Sequence, residues 1–549
     1  MERKNLIILA LIVLIGAVLR FIFLSTNPPA LNWDEISHGY NAYSILKTGM
    51  DQWGQRYPVF NFRAYGDYPT TLNLYLTIPF VAIWGLTALA IRMPHAILGV
   101  LTIISVYFLA LGVTKKQNIS LLATFLAAIG PWYVFTSRFV LQSNLSVFLL
   151  ITASSFFVWR GKHKTFLPAS FLLFTLTLFS YHTTRIFSPL FLVGCLVIFY
   201  KEIKSKWIYI YSGLFLILSA YILINPNATA RGNVLFIVDQ SAVNQIDAKR
   251  SSSKLPSIAS KLIYNRPVYF AESFTRNYLS YFSPQFLFFE GGTQYQFSVP
   301  GFGLMYPVEL PFFYIGLFLL IFYSIKSKNY RFILLWLVLS PIPASLTNES
   351  YAVVRATTML PVTEIIVGIG FFGFVEKLSR NFRVFLETIF VILILIFAES
   401  YFVNYFTKYK TDYSWSWQYG YEQIVNYVKT NYRNYDKIIV TKKYGEPHEY
   451  FLFFMEYNPA KYQSDSTKIA FYQSNWWWVD HFDKFWFVND WQIPKSGQIF
   501  VTESKVSIDC AKIKCLLITS PENFPKGWKH LETVDFLNSR PAFEIYENK

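Results

Sequence analysis

Charged side chains are scarce in this chain: 49 Lys+Arg and 33 Asp+Glu make up 15% of 549 residues. A soluble globular chain carries roughly 25%. Cysteine is scarcer still, at three, which excludes a disulfide-rich secreted scaffold. Gly and Pro number only 25 each, which excludes a collagen-like repeat. No internal repeat is visible, and no His/Asp/Cys spacing is diagnostic of a metal site. What is present is aromatic and apolar: 54 Phe, 38 Tyr and 15 Trp, within a hydrophobic content of 53%. That composition excludes disorder and points to a polytopic membrane protein.

The formal charge of +16 is unevenly placed. Residues 1–404 hold 31 basic and 16 acidic side chains, whereas 405–549 hold 18 and 17. A membrane region of 1–404 and a near-neutral polar domain of 405–549 follow. Apolar runs of membrane-helix character lie near 5–24, 93–113, 118–136, 144–159, 165–181, 186–200, 207–225, 307–325, 332–346, 356–375 and 384–404. A twelfth run, 68–84, carries Pro69 and Pro79 among Thr70, Thr71 and Asn73. With eleven crossings and a cytoplasmic N-terminus, the short loops on the inner side collect 16 basic residues against Glu2, Glu202 and Glu376. That satisfies the positive-inside rule, so 68–84 is read as an interfacial segment and 405–549 as extracytoplasmic. The excess charge is a topology signal and makes no case for nucleic acid. Residues 1–24 are read as an uncleaved first helix, since no small-x-small cleavage site precedes Asn27-Pro28-Pro29.

On this topology the loops 25–92 and 226–306 face outward and hold most of the unusual residues. ATP and nucleotide sugars are cytoplasmic, so outward chemistry calls for a lipid-linked donor. The adjacent carboxylates Asp34 and Glu35 follow the first helix, a costly pairing near a bilayer. They suit a general base and an orienting acid, or else Asp34 merely caps a helix whose dipole favours Glu35. Asp67 is a third carboxylate, in Tyr65-Gly66-Asp67-Tyr68-Pro69; a plain turn is the competing reading. Arg92, Arg138, Arg185 and Arg355 stand alone at outward helix ends, against the charge bias. Arginine forks suit a lipid phosphate, with snorkelling to headgroups as the alternative. The basic residues of 226–306, Arg276 among them, suit anionic headgroups, an acidic acceptor, or simply a solvated face.

Together, Asp34-Glu35, the Pro-bearing interfacial segment and Ala90-Ile91-Arg92-Met93-Pro94 resemble the start of glycosyltransferase family 39. That group includes protein O-mannosyltransferases and aminoarabinose transferases. Ser137-Arg138, Tyr181-His182-Thr183-Thr184-Arg185, Pro300-Gly301-Phe302-Gly303-Leu304 and Glu349…Arg355…Pro361 are similar to its later loops. The resemblance, over residues 5–400, implies a C-type glycosyltransferase fold and a polyprenyl-phosphate sugar donor. Its acceptor would be a lipid, glycan or protein, and the sugar would be transferred with inversion. It implies Asp34 and Glu35 as the catalytic carboxylates. It also implies Asp67, Arg92, Arg138, Tyr181, His182, Arg185, Glu349 and Arg355 as substrate-binding residues. Gln142 departs from the family, whose members often carry an acid shortly after Ser-Arg; a divalent metal is therefore left open and no cofactor is assigned.

The 405–549 segment reads as one small α/β domain, with a helix at 417–431 and strands at Ile438-Ile439-Val440, Ile499-Phe500-Val501 and Cys515–Ile518. It shows no Gly-rich phosphate loop or nucleophile motif. Its tryptophans (Trp476, Trp477, Trp478, Trp486, Trp491) suit packing, or stacking on sugars. A Cys510–Cys515 disulfide is open, permitted by the compartment but subject to geometry. The rival functions are a transporter or flippase of lipid-linked saccharide, which two of Glu364, Glu387 and Glu399 facing one cavity would favour, and a non-catalytic polyprenyl-lipid-binding relative.

Overall fold

The structure, a computed structural model, describes residues 3–66, 68–202, 206–226, 228, 236–474 and 476–548. Asp67 and Arg231 therefore lie outside the described residues. Contacts divide the chain into two compact units, residues 1–22 with 95–402 and residues 23–94 with 403–549. The sequence expects 25–92 as an outer loop of a domain spanning 1–404; in the structure residues 23–94 group with 403–549. Their helices bury polar faces, including Asn41, Asn73 and Thr77, that lipid does not solvate.

The first unit is helical, and every one of the eleven apolar runs forms helix. Among the described residues, six helices are long and apolar enough to cross a membrane: Arg3–Phe21, Ala88–Thr114, His182–Phe199, Lys206–Ile224, Pro307–Ser324 and Arg380–Asp412. Gln117–Ile129, Gln142–Val158, Phe166–Thr177 and Val362–Val375 are shorter apolar helices of this unit. The chain is a multi-pass membrane protein. Small residues set its closest packing. A Cβ on Gly316 would stand 1.9 Å from the Ile366 carbonyl, and one on Gly370 would stand 1.9 Å from that of Phe312. Helices Leu310–Ser324 and Val362–Val375 thus touch backbone to backbone, as small residues allow within membranes.

The second unit is built on a seven-stranded sheet of order β2-β3-β4-β1-β7-β9-β8, with a separate β5-β6 pair. The strands are β1 (Lys437–Thr441), β2 (Ile469–Gln473), β3 (Trp476–Phe482), β4 (Phe485–Val488), β5 (Ile499–Val501), β6 (Ser507–Asp509), β7 (Cys515–Thr519), β8 (Lys529–Asp535) and β9 (Pro541–Glu547). β1 pairs in parallel with β4 and β7, placing Ile439 opposite Trp486 and Leu517. These central strands are continuous apolar runs because both faces are covered. The expected helix begins at Tyr421 and ends at Asn431. Cys510 and Cys515 form a disulfide, with Cα atoms 5.9 Å apart, inside a core that includes Ile439, Phe500 and Leu517. The tryptophan run is strand β3, which the sequence did not reveal because neighbouring residues supply its pairing.

Residues 68–84 become the 14-residue helix Thr71–Trp84, too short for a full crossing of about 20 residues. Its polar side faces protein: Thr77 Oγ1 lies 3.0 Å from His38 Nε2.

Candidate active site

Asp34 and Glu35 sit in the first turn of helix Trp33–Thr48, and the helix start follows from a local signature. Asn32 Oδ1 accepts from the Glu35 N–H at 2.9 Å, and Glu35 Oε2 accepts from the Asn32 N–H at 3.3 Å. This is a capping box, written in the sequence as Asn followed three residues later by Glu. The cap is therefore Asn32, and Asp34 is released from that duty.

The two carboxylates have different fates. Glu35 is fully buried and meets Arg92 in a two-pronged pair, Nε–Oε1 and Nη2–Oε2, each 2.8 Å. The remaining Arg92 donors go to the carbonyls of Leu24 (3.1 Å), Pro28 (3.0 Å) and Ala30 (2.6 Å). All five guanidinium N–H groups are thus used inside this unit. This corrects two sequence assignments: Arg92 has no donor left for a substrate phosphate, and Glu35 has no carboxylate edge left for chemistry. Together they clamp residues 24–30 onto the helix start.

Asp34 keeps partial exposure and accepts a hydrogen bond from the Tyr65 hydroxyl. Tyr65 is itself fixed by the C-terminal segment. Its ring stacks on Trp476 at 5.0 Å, and its carbonyl accepts from the Trp477 N–H at 2.6 Å. The Trp476 indole N–H donates to Glu446. Burial pushes the Glu446 carboxyl up to about 7, although His448 and the Trp476 N–H pull the other way. Gly445, at φ 116°, lets the backbone meet the Trp33 ring, which would lie 2.4 Å from an added Cβ. The sequence did not pair Tyr65 with Trp476, because nothing local marks partners some 400 residues apart, and it did not single out Glu446. Trp477 is covered by the Arg63 guanidinium at 4.3 Å, whereas Trp491 is exposed.

In the other unit, Arg138 is a structural arginine. It is fully buried and donates to the carbonyls of Leu19 (2.6 Å), Arg20 (3.1 Å) and Ile22 (2.7 Å). These are the orphan acceptors at the end of the first helix, where a cation also offsets the dipole. Its assignment to substrate binding is corrected accordingly. Arg20, which the sequence did not single out, is likewise buried and donates to Gly16, Ala127 and Ala128 carbonyls.

Arg185 is almost buried at the start of helix His182–Phe199. It donates to the carbonyls of Leu178 at 2.9 Å and Ala228 at 2.5 Å, with His182 Nδ1 at 3.2 Å. Arg355 remains partly exposed. Its Nη1 makes a 2.8 Å ion pair with Glu349 Oε2 and donates to Thr347 Oγ1 at 2.9 Å. Gln294 Nε2 donates to the other Glu349 oxygen at 2.6 Å. Tyr281 is buried within the electrostatic reach of Arg355, Glu349 and Tyr181. Burial raises that hydroxyl's pKa, while the Ala352 backbone and Arg355 lower it. Among the described residues no three His, Cys, Asp or Glu side chains converge to hold a metal.

Residues 10–225 match the family model described as dolichyl-phosphate-mannose-protein mannosyltransferase, the group whose motifs the sequence resembles. No curated protein matches the chain by sequence. Among solved structures, the oligosaccharyltransferase AglB of Archaeoglobus fulgidus, in complex with an inhibitory peptide and a dolichol-phosphate, is similar with a TM-score of 0.51. It is 13% identical, and the match covers 82% of this chain and 63% of that one. The chain thus spans less than two thirds of the length of these archaeal enzymes. ArnT of Cupriavidus metallidurans bound to undecaprenyl phosphate is similar with a TM-score of 0.51 at 10% identity, over 98% of both chains. The architecture shared with them is the C-type glycosyltransferase fold; in this chain a C-terminal sheet follows it.

Proposed function

We propose that this chain transfers a sugar from a polyprenyl-phosphate-linked donor to an acceptor at the outer face of the membrane, with inversion and with Asp34 as the base. One observation carries the reading. Of two adjacent carboxylates, Glu35 is sealed against Arg92, whereas Asp34 is left partly exposed and oriented by Tyr65. A carboxylate so placed can take the proton of an acceptor hydroxyl as its oxygen attacks the anomeric carbon. The bond from that carbon to the phosphate oxygen breaks, and the lipid phosphate leaves with its electron pair. Arg355 is the arginine suited to neutralise it, with Arg185 and His182 as positioning groups. The donor class is supported by the name of the matched family and by the lipid phosphates bound in the two similar structures. The charge bias of the short loops supports the orientation.

Transport is less well supported. Glu364 accepts from Tyr133 and Thr363, Glu387 pairs with Arg383, and Glu399 is exposed. These three acids are not brought together. The test is turnover of undecaprenyl-phosphate mannose and undecaprenyl-phosphate glucose by purified protein with cell-envelope acceptors. Asp34→Asn is expected to lower turnover roughly 10²–10⁴-fold with undecaprenyl phosphate binding retained. Wild-type turnover in that variant would remove Asp34 from the role.

A further inference from the structure

The unit holding Arg355 contains a cavity of about 250 Å³, formed by three segments whose lining residues the proposed function does not use. Its lining is almost wholly hydrogen-bonding, with Asp239, Gln245, Arg276, Asn277, Asn348 and the ring of Tyr269 as the principal groups. The segments are tied together by polar contacts. Asn348 Nδ2 donates to Asp239 Oδ2 at 3.2 Å, and Asn277 Nδ2 donates to the Thr347 carbonyl at 3.0 Å. Asn277 is 5% exposed, and its side-chain oxygen has no partner among the described residues. Arg276 is exposed and forms no ion pair among the described residues. A cavity lined by amides, hydroxyls, one cation, one carboxylate and one aromatic ring suits a neutral ring covered in hydroxyls.

Its place in the chain narrows the ligand. The wall residues Asn348 and Ser350 bracket Glu349, the ion-pair partner of Arg355. Thr347 supplies its carbonyl to Asn277 and its hydroxyl to Arg355. One short segment therefore forms both the cavity wall and the support of the arginine assigned to the phosphate.

We propose that this cavity binds the sugar ring of the lipid-linked donor, with Arg276 and the Asn277 amide oxygen reading its hydroxyls. This rests on the donor class proposed above. The test uses Arg276→Ala, which removes a donor, and Ser241→Trp, which fills the cavity from an exposed wall position. Full-length protein in detergent is assayed for binding of undecaprenyl phosphate, which lacks the sugar, and of undecaprenyl-phosphate mannose and glucose. The expected result is an affinity for at least one of the sugar-bearing lipids weakened tenfold or more in both variants, with undecaprenyl phosphate bound as by wild type. Unchanged affinity for both sugar-bearing lipids overturns the proposal, including the case in which only the KM for the acceptor rises. Equal loss for lipids with and without sugar also overturns it. If wild-type protein binds undecaprenyl phosphate but neither sugar-bearing lipid more tightly, the cavity proposal fails while the donor class stands. Absence of undecaprenyl phosphate binding in wild type defeats the donor class itself.

Discussion

Arg92→Met separates a structural from a substrate role for the arginine that the family motif singles out. The substitution leaves the Glu35 carboxylate buried opposite an apolar side chain. Breaking a buried pair in this way costs about 3–5 kcal/mol. It also strips donors from the carbonyls of Leu24, Pro28 and Ala30, at about 1–3 kcal/mol for each acceptor that water does not reach. Against a total stability of about 5–15 kcal/mol, even the lower sum is large. The variant is expected to be recovered in low yield, with its thermal midpoint in detergent, followed by tryptophan fluorescence, lowered by many degrees. Because it stands to unfold outright, Glu35→Gln is the companion. It keeps the shape, removes the charge that faces Arg92, and should lower the midpoint by less while undecaprenyl phosphate affinity stays unchanged. The reasoning fails if Arg92→Met retains the wild-type midpoint but binds undecaprenyl phosphate more weakly.

Two further outcomes follow from the unit that holds Asp34. Tyr65→Phe keeps the stack on Trp476 but removes the hydroxyl that holds Asp34, so kcat is expected to fall roughly tenfold or more with little change in midpoint. A fall in midpoint at unchanged kcat would make Tyr65 purely structural. The second outcome concerns pH. Burial holds Glu446 up to about 7 and Asp51 up to about 6. Both groups retain protons in the folded state at pH values where the unfolded chain has released them. Their contribution is therefore complete below about pH 4 and is lost as pH rises through 6 and 7. The wild-type midpoint should fall between pH 5 and pH 8, and Glu446→Gln should flatten that slope. Equal slopes in the two proteins would count against the buried-proton account.

The apolar runs determined where the helices of the first unit lie, because an apolar stretch has few other ways to satisfy its backbone in lipid, but not which of them are long enough to cross. Asn32 and Glu35 determined where helix Trp33–Thr48 starts, because a capping box needs only neighbours. The central strands β1 and β7 were legible for a similar reason: a short, continuous apolar run is what a strand covered on both faces requires. Tertiary structure alone decided which charged residues are available. Arg92, Arg138, Arg185 and Arg355 look alike in sequence, each a lone cation at a helix end. Arg92 is consumed by Glu35 and three carbonyls, and Arg138 by the end of the first helix, whereas Arg355 keeps a partly exposed guanidinium. Those partners lie 57 residues away for Arg92 and more than 110 for Arg138. The same holds for Tyr65 and Trp476, and for the grouping of residues 23–94 with the C-terminal sheet. Whether a charge is spent on the fold or kept for a substrate depends on donors and acceptors brought together only by packing.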